Sequence, residues 1–297
     1  YAFELVIGTY AIASLAPVVA SAVTATLVAR ALSGETYVVV PGGVTPPGLE
    51  GYVLSLVLGL VCALSGIALM RGVTFTEANM RRFLRWAPLR PALGGLAVGL
   101  LALISPIALS AGHGALHFTF ATESTGLDIL WLVLLKSLAV VISLGAGFRG
   151  GLFFASLLLG ALLGKVFAAG VDVVLPGMDP LLLSLVGMSA FGSAVVGAPL
   201  AMTFLALETT GNFVVAGSVL AAVTVAGLVT RRLFGYSFAT WRFHLRGETI
   251  RSAHDIGWLR ELSVGRLMRR DLRTVRNDTK LSSFKRDFPL GSTARVV

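Results

Sequence analysis

The sequence predicts an all-α, polytopic membrane protein, and three observations carry that expectation. The 297 residues are 56% hydrophobic and only 13% charged, about half the charge of an ordinary soluble domain. Apolar residues gather in five long runs, 53–70, 92–111, 127–144, 151–174 and 213–229. Several of these approach the roughly 20 residues that cross a bilayer. Basic residues segregate as well: residues 231–297 hold 15 of the 24 Lys and Arg but 6 of the 15 acids, which accounts for the whole net charge of +9. Beside a membrane domain such a tail reads as cytosolic, attracted by anionic headgroups, and not as a nucleic-acid-binding surface.

Loop charges orient the elements in order. The chain opens at Tyr1 inside an apolar, small-residue segment with no signal-peptide layout, so it reads as part of a longer protein. Loop 32–51 carries Glu35 and Glu50 and no basic residue, and is expected outside. After the run 53–70, residues 71–90 bring Arg71, Arg81, Arg82, Arg85 and Arg90 against Glu77, an amphipathic linker expected in the cytoplasm. The run 92–111 should return to a second outer loop, 112–126, whose only charge before Gly126 is Glu123. Segments 127–145 and 151–170 then form a hairpin, because the stretch 170–180 has only Asp172 and Asp179 and lies outside again. The apex of that hairpin is rich in glycine. Either it reaches the inner surface, or it stops at membrane depth, where irregular backbone survives only inside protein or along a wet cavity. Residues 183–213 are too rich in small side chains, and too broken by Gly197 and Pro199, for one simple span. A last apolar run ends at Arg231 and Arg232, followed by a short amphipathic helix near 236–245.

The apex reads "GAGFRGGLFFASLLLG" (145–160), a G-x-G-x-x-G of Gly145, Gly147 and Gly150. That spacing seats dinucleotides when a soluble βαβ frame surrounds it and an acid follows about 20 residues on. Asp172 has the spacing but sits in an outer loop beyond a helix with almost no polar face, so a nucleotide is excluded. "GMSA" (187–190) resembles an intramembrane serine-protease G-x-S-x, which needs a histidine base in reach. His244 and His254 fall at or past the membrane edge and His113 and His117 in an outer loop, so that chemistry is excluded too. Cys62 is the only cysteine, and neither H-E-x-x-H nor a carboxylate cluster is present. No enzyme activity, metal or organic cofactor is expected. A helix N-terminus in an apolar frame still favours an anion, through N–H groups without intrahelical partners and the positive end of the dipole. Donors of this kind hold a small ion weakly enough to release it, as conduction requires.

Three ordered blocks resemble the CLC family of chloride channels and proton/chloride antiporters. "LKSLAVVISLGAGFRGGLFFASLLLGALLGK" (135–165) is similar to the family's basic residue, apolar run, G-x-x-GG-x-F-x-P and small-residue helix. "GMSAFGSAVVGAPLAMTFLALETTGNF" (187–213) resembles its second signature, and "GYSFA" (235–239) falls where the family places the tyrosine of its last helix. The resemblance implies a CLC-type antiparallel inverted repeat with broken, re-entrant helices, a homodimer, and an anion path in each subunit. Residues 1–88 would be the remainder of a first repeat and 89–246 a second repeat with the final helix. A faint echo of "YAFELVIGTY" (1–10) in "LALETTGNF" (205–213), Glu4 over Glu208, fits such a duplication.

Carried over residue by residue, the resemblance gives the anion-binding groups as the amides of Leu152 and Phe153 and the hydroxyl of Tyr236, around a filter loop of Gly147, Arg149, Gly150 and Gly151. The family's proline is Ala155 here, and Arg149 replaces a small residue or proline; it either raises the local positive potential or pairs away from the pore. Lys136 matches a basic family position and serves either a structural salt bridge or the anion path. Glu208 and Glu4 read as structural groups bonding backbone at a helix end, and Gly160 with Gly164 as a packing GxxxG. Family exchangers carry a proton-relaying glutamate where this chain has Leu5, which favours passive, channel-like chloride conduction. The alternatives are a proton-coupled antiporter and a non-conducting regulatory scaffold of the same fold. Residues 247–297 form a basic cytosolic tail resembling the start of a CBS domain, too short for one complete unit, so adenine nucleotide binding is not expected. The partners expected are chloride, the lipid bilayer of a bacterial plasma membrane and a second subunit.

Overall fold

A computed structural model describes residues 4, 12–33, 43–84, 86–109, 126–148, 150–235, 237–238, 241, 263 and 275–289. The chain divides into two units, Tyr1–Asp255 and Ile256–Val297. Every regular element among the described residues is helical: α1 (Ile12–Ser33), α2 (Leu49–Phe83), α3 (Leu89–Ile104), α4 (Gly126–Gly145), α5 (Phe153–Asp172), α6 (Pro180–Val196), α7 (Pro199–Thr210), α8 (Phe213–Leu233) and, in the second unit, α9 (Leu281–Asp287). Five of them, within α1, α2, α4, α5 and α8, are long and apolar enough to cross a membrane.

The core is built around α6. From Leu182 to Val196 every residue is buried, which suits a stretch with no charged side chain and many small ones. Gly187 packs so closely against Gly160, and Gly164 against Leu183 and Ser184, that a Cβ on any of the three glycines would meet backbone atoms. Two hydroxyls of α6 bond to neighbouring helices: Ser184 donates to the Ala161 carbonyl at 3.0 Å, and Ser193 to that of Val223 on α8 at 3.3 Å, while the buried Ser189 hydroxyl has no partner among the described residues. A buried hydroxyl without such a bond would be costly in an apolar core. α2 closes the other side, laying Leu58, Cys62, Ala63 and Leu69 into the same core.

Helix ends follow local chemistry. Asp179 caps α6, accepting from the Leu181 N–H at 2.9 Å, with Pro180 at the first helical position. Its second oxygen accepts from both the backbone N–H and the hydroxyl of Thr45, at 3.1 and 2.8 Å, tying segment 43–48 to the start of α6. Gly197 (φ 90°) ends α6 in the left-handed region, and Pro199 then starts α7, so 183–213 is broken where the sequence placed the break. Asn212 caps α8 through the N–H groups of Val214 and Val215.

Two expectations need correction. The run 92–111 is not one span: α3 stops at Ile104, because Ser105 is held extended before Pro106, and a 3-10 turn, Pro106–Ala108, follows. The linker 71–90 is largely the end of α2, which stays helical to Phe83. α1 lies outside the five apolar runs; it is the least hydropathic of the five long helices, and none of its described side chains is buried. In the second unit, α9 buries no residue, and the described residues there include no strand that would continue a CBS unit.

Candidate functional site

The glycine loop joins α4 to α5. Gly147 (φ 98°) ends α4 in the left-handed region, and its N–H donates to the Leu144 carbonyl at 3.1 Å. The Phe148 N–H reaches back to Ser143 at 3.2 Å, completing a Schellman closure of the helix. Two supports hold the base of the loop. Gly145 lies against Thr76 and the Glu77 backbone of α2, and Gly94 of α3 lies against Ala146, with no room for a Cβ at either glycine. The tip is the opposite: Gly147, Gly150 and Gly151 are exposed and face open space. Bare backbone is therefore presented at the apex of the hairpin.

Helix α5 begins directly after this tip. Its N-cap residue, Leu152, is buried and supplies no side-chain cap. Phe153, the first helical residue, is half-buried and meets the Phe154 ring edge-on at 5.2 Å. Ala155, buried in the first turn, keeps a backbone N–H that proline would lack. The first-turn amides and the helix dipole thus favour negative charge at the loop. Arg149, Tyr236 and Leu5 lie outside the described residues.

A second broken helix gives the contrast. α7 also starts without a cap from its own N-cap residue, Ala198, but Glu4 fills the position. The two carboxylate oxygens accept from the Leu200 and Ala201 N–H groups, each at 3.0 Å. This is the charge-assisted capping of a helix N-terminus by a side chain almost 200 residues away in sequence (196 and 197). The sequence signals were Pro199, a marker of a first helical position, and the Glu4 echo; neither paired them. The Glu208 carboxylate does not repeat the arrangement and makes no hydrogen bond or ion pair among the described residues, which corrects its expected backbone bond. It sits in the last turn of α7, where a helix end offers carbonyls and a carboxylate finds no donor.

Lys136 is 3% exposed on α4, and its ammonium donates to the carbonyls of Ile107 and Ala108 at 3.3 and 3.2 Å. It ties α4 to the 3-10 turn that follows α3. Carbonyl oxygens are acceptors that offset part of the cost of a buried cation. No group of three or more His, Cys, Asp or Glu that could hold a metal occurs among the described residues.

Comparison with known proteins agrees with this architecture. Residues 1–231 match the family described as voltage gated chloride channel. The voltage-gated ClC-type chloride channel ClcB of Salmonella typhimurium is 33% identical over 233 residues, covering 77% of this chain and 56% of that protein. ClcB of Citrobacter koseri is 32% identical over the same length and shares. The chain thus spans about half the length of the curated relatives it matches. Among solved structures, a slow cyanobacterial Cl−/H+ antiporter is similar with a TM-score of 0.69 at 23% identity, over 75% of this chain and 53% of that one. A CLC-type fluoride/proton antiporter gives 0.66 at 22% identity, over 80% and 57%. At these identities the likeness is one of fold.

Proposed function

The chain belongs to the voltage-gated chloride channel family, and from that membership we propose that its protein carries chloride passively across a membrane, with one path in each subunit of a homodimer. The observation that carries this reading is the exposed glycine tip in front of α5. Gly147, Gly150 and Gly151 are exposed with open space in front of them, and α5 begins directly after them. The path runs past that tip: the amides of Leu152 and Phe153 and the hydroxyl of Tyr236 hold the ion, while Gly147, Gly150 and Gly151 let it approach the backbone. Arg149 adds positive potential beside them. Dipoles and N–H groups attract an anion without the deep well of a fixed cation, so the ion moves on.

Leu5 supports passive conduction, since an aliphatic side chain relays no proton at the position where exchangers of the family carry a glutamate. Proton-coupled exchange is the second reading, supported by the two solved relatives, both described as proton antiporters. The deciding measurement uses the full-length protein in liposomes under a chloride gradient with and without an opposing pH gradient. Passive conduction gives a reversal potential set by chloride alone. A potential that moves with the pH gradient replaces it with exchange. Chloride efflux no faster than from protein-free vesicles leaves only a scaffold role.

A further inference from the structure

Helix α2 is longer than its hydrophobic task. Its 35 residues span about 52 Å at 1.5 Å per residue, against about 30 Å for the hydrocarbon core and 40–45 Å with both headgroup layers. The uncharged stretch ends at Met70, and Arg71 opens three further turns of a different character. Val73, Thr76, Glu77 and Met80, at helical spacing, face inward, with Val73 buried and the other three half-buried. Arg71, Phe75, Ala78 and Arg82 form the opposite, exposed stripe. Phe75 is 70% exposed, Phe83 78% and Trp86 70%. Exposed aromatics among arginines just past an apolar span are the composition of a membrane interface, not of a surface facing water.

Charge decides what meets this surface. Glu77 is the only acid in 71–90, and it is already paired with Arg81 at 2.6 Å. The side chains of Arg71 and Arg82 make no hydrogen bond or ion pair among the described residues, and the stripe is left cationic. We propose that this end of α2 docks anionic phospholipid headgroups of the inner leaflet at Arg71 and Arg82, with Phe75, Phe83 and Trp86 set in the interface. With a tilt of roughly 30–35°, within the range of membrane helices, α2 fits the whole bilayer and its last turns rest in the headgroup layer. The same turns support the anion loop from the other side, because Gly145 closes on Thr76 and Glu77, and Gly72 on Val141. Headgroup charge thereby bears on the helix that holds the loop in place.

Trp86 reports on the site. Full-length protein is placed in phosphatidylcholine vesicles in which about one-tenth of the lipid is brominated phosphatidylglycerol, or the same share of brominated phosphatidylcholine. The Trp86 signal is the difference between the wild type and Trp86→Phe. Headgroup enrichment of about fivefold per unpaired arginine is expected from the surface attraction of one basic residue, so the anionic quencher acts severalfold more strongly. The preference falls to parity in Arg71→Gln/Arg82→Gln and is kept in Arg71→Lys/Arg82→Lys, which separates lost charge from lost fold. Equal quenching by the two lipids in the wild type, no quenching by either, or a preference that survives the glutamine pair overturns the proposal. The readout is lipid contact and stands apart from whether chloride flows.

Discussion

Two glycine-rich regions of this protein flank the start of α5 and use the same residue for opposite purposes. In the seam between α5 and α6, Gly160, Gly164 and Gly187 are there because backbone fills the space where a side chain would be. At the tip between α4 and α5, Gly147, Gly150 and Gly151 have open space in front of them. The seam removes side chains so that two helices can touch. The tip removes them and leaves bare backbone facing open space, where the proposed ion path runs. Rigid packing behind an open loop is a sensible division for a transport site, since the donors must stay aimed while the ion moves.

Substitution by alanine separates the two uses, and the seam should respond most. Gly160→Ala/Gly164→Ala drives two methyl groups into the backbone of α6. Overpacking costs about 1–3 kcal/mol per site, more than the roughly 1 kcal/mol that alanine gains over glycine in a helix. The expected result is a clearly lower unfolding midpoint and a lower yield of monodisperse protein. An unchanged midpoint would mean that the seam has slack and that the contrast is false.

Gly147→Ala should fall between the extremes. No neighbour blocks a Cβ there, but φ is 98°, and an L-residue held in the left-handed region costs about 1–2 kcal/mol. The unfolding midpoint should drop modestly, and Gly147→Asn, which tolerates that region better, should recover part of the loss. Equal losses for the two would point to something other than backbone strain. The smallest effect on stability is expected at Gly150→Ala/Gly151→Ala, within about 0.5 kcal/mol, as for surface changes that disturb nothing. Chloride flux through the same variant should nevertheless fall severalfold, because the methyl groups occupy the ion's approach. Normal flux with normal stability would take those glycines out of the path.

Much of this was legible in the residues. Charge-free runs and the asymmetry of Lys and Arg outlined the spans. The hairpin of α4 and α5 followed from two loops without basic residues, and the break at Gly197 and Pro199 from two residues that end and start helices. The misjudged run 92–111 shows the limit of hydropathy: the apolar neighbours of Ser105 and Pro106 carry them through a window, yet proline stops the helix before it. α1 was passed over for the converse reason, since its Ala, Ser and Thr dilute the signal without preventing a helix.

Sequence alone determined the class of protein, most of its long helices and the site of the glycine loop, because hydropathy, charge and turn chemistry act locally along the chain. Tertiary structure decided which glycines are packed and which are open, because that depends on what stands opposite each one. It also decided that Glu4 closes the N-terminus of α7 through Leu200 and Ala201, while the N-cap of α5 brings no such group. A helix N-terminus that a carboxylate of the protein fills is closed to a passing anion. That carboxylate comes from whichever distant segment the fold brings near.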